Sequence, residues 1–191
     1  MKFPLCLTAI AAALAYLPGH AQCAEIVLEQ TAVEALLMDN LFKDKGRLYL
    51  QKGVCNAFIE TPKVTLKQGR VLIRLHLSSR LGVPSGKECL GMSLASWATV
   101  SAAPVAQGQQ VRLNDIRIDE VEDPNLRSLL ELGLTPALPQ AVEFDVKKAV
   151  EDMLQGTAKR IQADVQRLNI ESVKADNNQL SISFDFKLVG K

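Results

Sequence analysis

The sequence predicts an α+β domain built on a long, strongly curved antiparallel sheet. Three observations predict it. Leu180, Ile182, Phe184, Phe186 and Leu188 alternate without a break with Ser181, Ser183, Asp185 and Lys187. In an extended chain that puts every apolar group on one face. Val71, Ile73, Leu75 and Leu77 repeat the pattern, and the stretches at 91–105 and 109–121 are also long for strands. Val111 and Leu113 hold one parity while Ile116 and Ile118 hold the other. A switch without a break predicts a β-bulge at Asn114–Asp115, which bends the strand.

The elements follow in chain order. Met1-Lys2 gives a positive start, Leu5 to Leu17 is apolar, and Pro18-Gly19 breaks the run. This reads as a secretory signal peptide over 1–24, too short for a membrane span, ahead of a single domain at 25–191. Cleavage after Ala21, Cys23 or Ala24 fits, and the mature chain is expected in the periplasm. Lipoprotein anchoring at Cys23 is disfavoured, because His20, Ala21 and Gln22 precede it where small residues are wanted.

Glu25 to Glu29 reads as an edge strand. Thr31 and Glu34 have capping-box spacing, and Val33, Leu36, Leu37 and Leu41 follow at helical intervals to about Phe42. Leu48 and Leu50 make a weak strand. The stretches 55–66 and 70–81 form a hairpin about Gln68-Gly69. Leu81 to Lys87, with Gly82, Pro84 and Gly86, reads as a loop. Gly91 to Val105 turns at Gln107-Gly108 and returns to Val121. Asp123-Pro124 starts a helix striped by Leu126, Leu129, Leu130 and Leu134, which Pro136 and Pro139 are expected to end. A short strand at 141–145 precedes a long helix from Val146 to about Val165. Its apolar side carries Val146, Ala149, Val150, Met153, Ile161 and Val165, and its length of about 30 Å matches the long strands. A final hairpin turns at Asp176-Asn177-Asn178.

The chain has 22 Lys+Arg against 21 Asp+Glu, and loss of Lys2 with the signal leaves 21 against 21. A neutral surface with few aromatics excludes a nucleic-acid partner. An exported chain that keeps Cys55 and Cys89 suggests a disulfide on grounds of compartment. Geometry opposes it. The two cysteines fall on strands two apart in the sheet, about 9.6 Å, unless the strand ends curl together.

Catalytic patterns are weak. Gly91-Met92-Ser93-Leu94-Ala95 lacks the closing glycine of a nucleophile elbow, and no histidine follows Ser93. His76 lacks companions for a zinc site. Asp115, Asp119, Glu120, Glu122 and Asp123 do not have calcium-loop spacing and read as a solvated strand end. The sequence therefore predicts no enzyme, metal or cofactor. Its positive signal is apolar surface. Either that surface is an ordinary closed core, or the sheet and the long helix leave an apolar groove.

Glu25 to Phe42, Val71 to Leu77, Val111 to Ile118, Leu126 to Leu138 and Leu180 to Leu188 carry a resemblance in element order and apolar pattern. In these the chain resembles small periplasmic members of the tubular lipid-binding (BPI-like) superfamily, including the YceB-type lipoproteins. The resemblance implies a highly curved sheet wrapped around a long helix, with two further short helices. It also implies a non-enzymatic role in binding a lipid or amphipathic molecule, with peripheral contact to the membrane. The groove would be lined by Val71, Ile73, Leu75, Leu77, Val150, Met153, Ile182, Phe184 and Phe186. The alternative is a structural or interaction module of the cell envelope with a closed core.

Overall fold

A computed structural model describes residues 23–157 and 163–190. Six strands form a strongly curled half-barrel in the order β2-β3-β4-β5-β6-β7. They are β2 (Arg47–Gln51), β3 (Ala57–Lys67), β4 (Arg70–Ser85), β5 (Glu88–Gln107), β6 (Gln110–Val121) and β7 (Glu143–Asp145). A three-stranded sheet, order β1-β9-β8, joins the two ends of the described chain: β1 (Cys23–Glu29), β8 (Ala163–Asp176) and β9 (Gln179–Gly190). All strand pairs are antiparallel. The fold is therefore α+β and dominated by antiparallel strands, as the alternation predicts.

The helices are α1 (Gln30–Leu41), α2 (Arg127–Ala141), entered by a 3-10 turn at Pro124–Leu126, and α3 (Val146–Thr157). Here the sequence reading needs correction. Among the described residues the longest helix is α2 at 15 residues, and α3 has 12, about 18 Å rather than 30 Å. Gly156 weakens the end of α3. Val165, assigned above to that helix, pairs with Leu188 in the β8–β9 ladder. Ile161 lies outside the described residues. The sheet therefore does not wrap one long helix.

α1 packs against β3 and α2, while α2 lies against β6 and β2. β8 packs against β3, β4 and β5, so the small sheet supplies the rest of the cover. The core runs from Val33 and Leu37 through Val71, Ile73, Leu75 and Leu77 to Leu126, Leu130, Leu134 and Leu138, and on to Ile182 and Phe184. Each large side chain buried this way contributes roughly 1.5–3 kcal/mol. α2 keeps its buried stripe through Leu138 even though Pro136 and Pro139 lie inside it. The carbonyl that Pro136 leaves unpaired belongs to Leu132, a residue 80% exposed, so water can satisfy it.

The Thr31–Glu34 capping box does not form; Glu29 is the N-cap and makes no side-chain bond. Glu34 instead accepts from the Val64 amide at 3.2 Å and from Lys63 Nζ at 3.4 Å, tying α1 to β3. The Gln30 amide donates to the Asn178 carbonyl in the β8–β9 turn. That turn in turn meets the β3–β4 turn: Asn178 N donates to Leu66 O at 2.9 Å and Gly69 N to Ala175 O at 2.8 Å. Backbone bonds thus stitch the two sheets together at their hairpin ends.

The expected bulge is present. Between the pairs Ala103–Asn114 and Ser101–Arg117 the β6 strand carries one extra residue, and Asp115 there has φ +46°. Arg70 reaches Asp115 Oδ2 at 2.9 Å and the Asp115 carbonyl at 2.7 Å, and Arg117 reaches Oδ2 at 2.6 Å. The two guanidiniums, Arg70 foremost, hold the Asp115 carboxyl below its ordinary range. A second register shift follows between the pairs at Thr99 and Val100, adding to the curl. Asp123 caps the 3-10 turn by accepting from Asn125 N at 3.0 Å, the role its position before Pro124 predicts.

The stretch read as a loop at Leu81–Lys87 is instead the outer part of a hairpin. β4 and β5 stay paired from Val71–Ala102 to Ser85–Glu88 without a register shift. β3 leaves β4 after Ala57–Ser79, and β6 leaves β5 after Ala98–Val121. Beyond those points β4 and β5 continue as a two-stranded ribbon, the form in which sheet twist is largest. Gly82 and Gly91 face each other in it. A Cβ at Gly82 would come within 2.1 Å of the Leu90 carbonyl oxygen, and one at Gly91 within 2.0 Å of that of Leu81. Two glycines let the strands cross this tightly, and the ribbon curls until Cys89 reaches Cys55. The sulfurs are bonded at 2.11 Å with the Cα atoms 5.0 Å apart. The 9.6 Å objection assumed flat strands, and this part of the sheet is coiled.

Candidate functional site

The residues expected to line a groove are brought together, and most are filled core. Val71, Ile73, Leu75 and Leu77 are at most 1% exposed, Ile182 and Phe184 at most 2%, and Val150 5%. All seven belong to one packed cluster with the α2 leucines. Phe186 is partly buried, its ring 5.8 Å from that of Phe184. Met153 is exposed on α3, and the β9 stripe emerges into solvent at Leu188.

The surface that sequence reasoning missed lies on the ribbon. Residues paired across antiparallel strands share a face. Leu81 with Met92 and Val83 with Leu90 therefore continue the face that Val71–Ala102 to Leu77–Ser96 turns into the core. The core stripe outruns its cover. Val83 is 70% exposed, Leu90 59% and Met92 62%. The odd-numbered parity of Leu81 and Val83 with Leu77 was visible in the sequence, but Gly82, Pro84 and Gly86 argued for a loop.

At the root of the ribbon a depression of about 490 Å³ is lined by Asn56, Phe58, Ser78, Ser79, Arg80, Ser93, Leu94 and Ala95. Its walls are amphipathic: Phe58 and Leu94 offer carbon, while Arg80 and the serines offer donors. Ser79 is 3% exposed, and among the described residues its Oγ has no hydrogen-bond partner. By the same pairing, Phe58, Ser78 and Ala95, and Arg80 with Ser93, lie on the face opposite the Leu81–Met92 stripe, so most of this depression's lining belongs to the other side of the ribbon.

The sequence-level catalytic residues do not converge. His76 pairs with Trp97, four residues along β5 from Ser93, which puts them about 13 Å apart. The His76 ring lies 5.1 Å from the Trp97 ring, and its Nδ1 is 3.5 Å from Glu60 Oε1. Arg74 stacks over Trp97 at 4.8 Å. In the acidic stretch, Glu122 accepts from the Trp97 amide at 3.3 Å, and Asp115 and Asp123 are engaged as described. Among the described residues no three His, Cys, Asp or Glu side chains are grouped to hold a metal ion. No family model matches the chain, and no curated protein matches it.

Proposed function

We propose that this is a non-enzymatic, exported protein of the cell envelope that holds a lipid or other amphipathic molecule. The ligand surface is not the buried wall of the half-barrel but the place where that wall outruns its cover. An acyl chain would lie along Leu81, Val83, Leu90 and Met92. The observation that carries the reading is the apolar core face continuing into solvent on a disulfide-anchored ribbon. The cysteine bond supports an oxidising compartment such as the periplasm. Kinship with the tubular lipid-binding superfamily is part of the same proposal, supported by the curled antiparallel sheet.

A second reading, an envelope interaction module with no ligand, is favoured by the packed interior at Val71 to Leu77. The two readings diverge in one experiment. Native mass spectrometry of protein purified from its own envelope, with titration of a fluorescent fatty acid, should detect a bound lipid. Leu90→Asp should abolish that binding with an unchanged Tm, whereas Phe184→Asp should unfold the domain by burying an unpaired carboxylate. Absence of both copurifying lipid and fatty-acid binding in the wild-type protein would leave only the second reading.

A further inference from the structure

The ribbon has an edge as well as a face. Glu122 N donates to Trp97 O and Trp97 N donates to Glu122 Oε2, so the Trp97 backbone points away from β4. With β4–β5 register unbroken, Ala95, Ser93, Gly91 and Cys89 present their amides and carbonyls along the same edge. Among the described residues none of these groups meets a third strand, because β6 begins its pairing only at Ala98. Proteins usually guard such an edge with charge, proline or a short run. The opposite edge, on β4, has Arg80 and Pro84, but the stretch 89–96 contains neither a charged residue nor a proline.

We infer that this edge pairs with the same edge of a second copy of the chain about a two-fold axis at Met92. The sequence there is a chemical palindrome: Leu90, Gly91, Met92, Ser93, Leu94. Antiparallel pairing sets Leu90 against the partner's Leu94, Gly91 against the partner's Ser93, and Met92 against itself, with small residues Cys89 and Ala95 next. Trp97 is already faced by Glu122 of its own chain, so the ladder runs from Cys89 to Ala95, and its ends bring Lys87 toward the partner's Glu122, opposite charges at both ends. The product is a four-stranded ribbon whose apolar face is doubled and continuous. One strand edge buries less than the roughly 800 Å² per partner of a standard interface, so the dimer should be weak and concentration-dependent. This pairing does not depend on the ligand reading, and either can fail alone.

Met92 sits on the axis as a non-hydrogen-bonded pair, where Cα atoms approach to about 4.5 Å, within disulfide reach. Met92→Cys should therefore give a covalent dimer under mild oxidant, linked position 92 to position 92 with Cys55–Cys89 intact by peptide mapping. Val83→Cys, as exposed but off the axis, should cross-link at least tenfold more slowly. Sedimentation of Met92→Lys, which sets like charges face to face, should show monomer where the wild-type protein is dimeric. Equal cross-linking at 83 and 92, a dimer linked through Cys89, or a wild-type monomer up to 1 mM would each overturn the inference.

Discussion

Replacing both Cys55 and Cys89 by alanine isolates what the disulfide does for the fold. The two residues are 34 apart in sequence. Closing a loop of that length in the unfolded chain removes about 12.6 cal/mol/K by the loop-entropy relation, about 3.8 kcal/mol at 25 °C. Alanine at position 55 adds little, since it retains an apolar Cβ at a site only 4% exposed. The ribbon would keep its ladder to β4 but lose its tether to the start of β3. Urea titration followed by circular dichroism reads both quantities. The midpoint should fall by the equivalent of about 4 kcal/mol, and the slope m should rise because the uncrosslinked unfolded chain exposes more surface. A loss below about 1 kcal/mol with unchanged m would refute the reasoning, because the cross-link would then be constraining neither state.

Gly91→Ala should destabilise by more than the usual strand propensity difference, because its Cβ meets the Leu81 carbonyl and no flexible side chain can move aside. Thermal melts and the rate of Cys55–Cys89 formation on refolding should both suffer, and an unchanged rate would argue against the tight glycine crossing. Asp115→Asn keeps a residue type that tolerates positive φ but removes the charge held by Arg70 and Arg117. Because the folded carboxyl titrates below its ordinary 3.8, its stabilisation is complete above about pH 4 and is lost as pH falls through the lowered value. Wild type and variant should therefore converge in acid denaturation below that window and differ above it; a gap independent of pH would contradict the ion pairs.

What could be read from the sequence was local. The bulge at Asp115 showed as a parity switch, the turns at Gln68-Gly69 and Asn177-Asn178 as residues suited to positive φ, and the Asp123 cap as an acid before proline. The errors arose where tertiary pairing decides. β8 carries two register shifts, at Val165/Arg167 and Ile170/Ser172, which break its period of two, and its residue Val165 stands four after Ile161 in the sequence, a spacing that imitates a helix. The coiled ribbon was hidden for a related reason: three turn-forming residues in seven look like a loop until long-range pairing holds them extended. Val71, Ile73, Leu75 and Leu77 do share one buried face, but which part of the apolar surface is covered depends on where α2 and the small sheet end.

The sheet that joins β1 to β9 also sets the order in which the chain can fold. Cys23 pairs with Asp185 and Glu29 with Gln179, contacts about as far apart in sequence as this chain allows. Among the described residues β1 has no other strand partner, and the Gln30 amide at the start of α1 donates to the turn before β9. A chain made from its N-terminus must therefore leave its first strand unpaired until its last twelve-residue strand has emerged. Contacts of such separation slow folding, so the hairpins β3–β4 and β4–β5 can form early while the domain stays open. Synthesis and final closure are separated in time by the topology itself, since β1 must wait for β9.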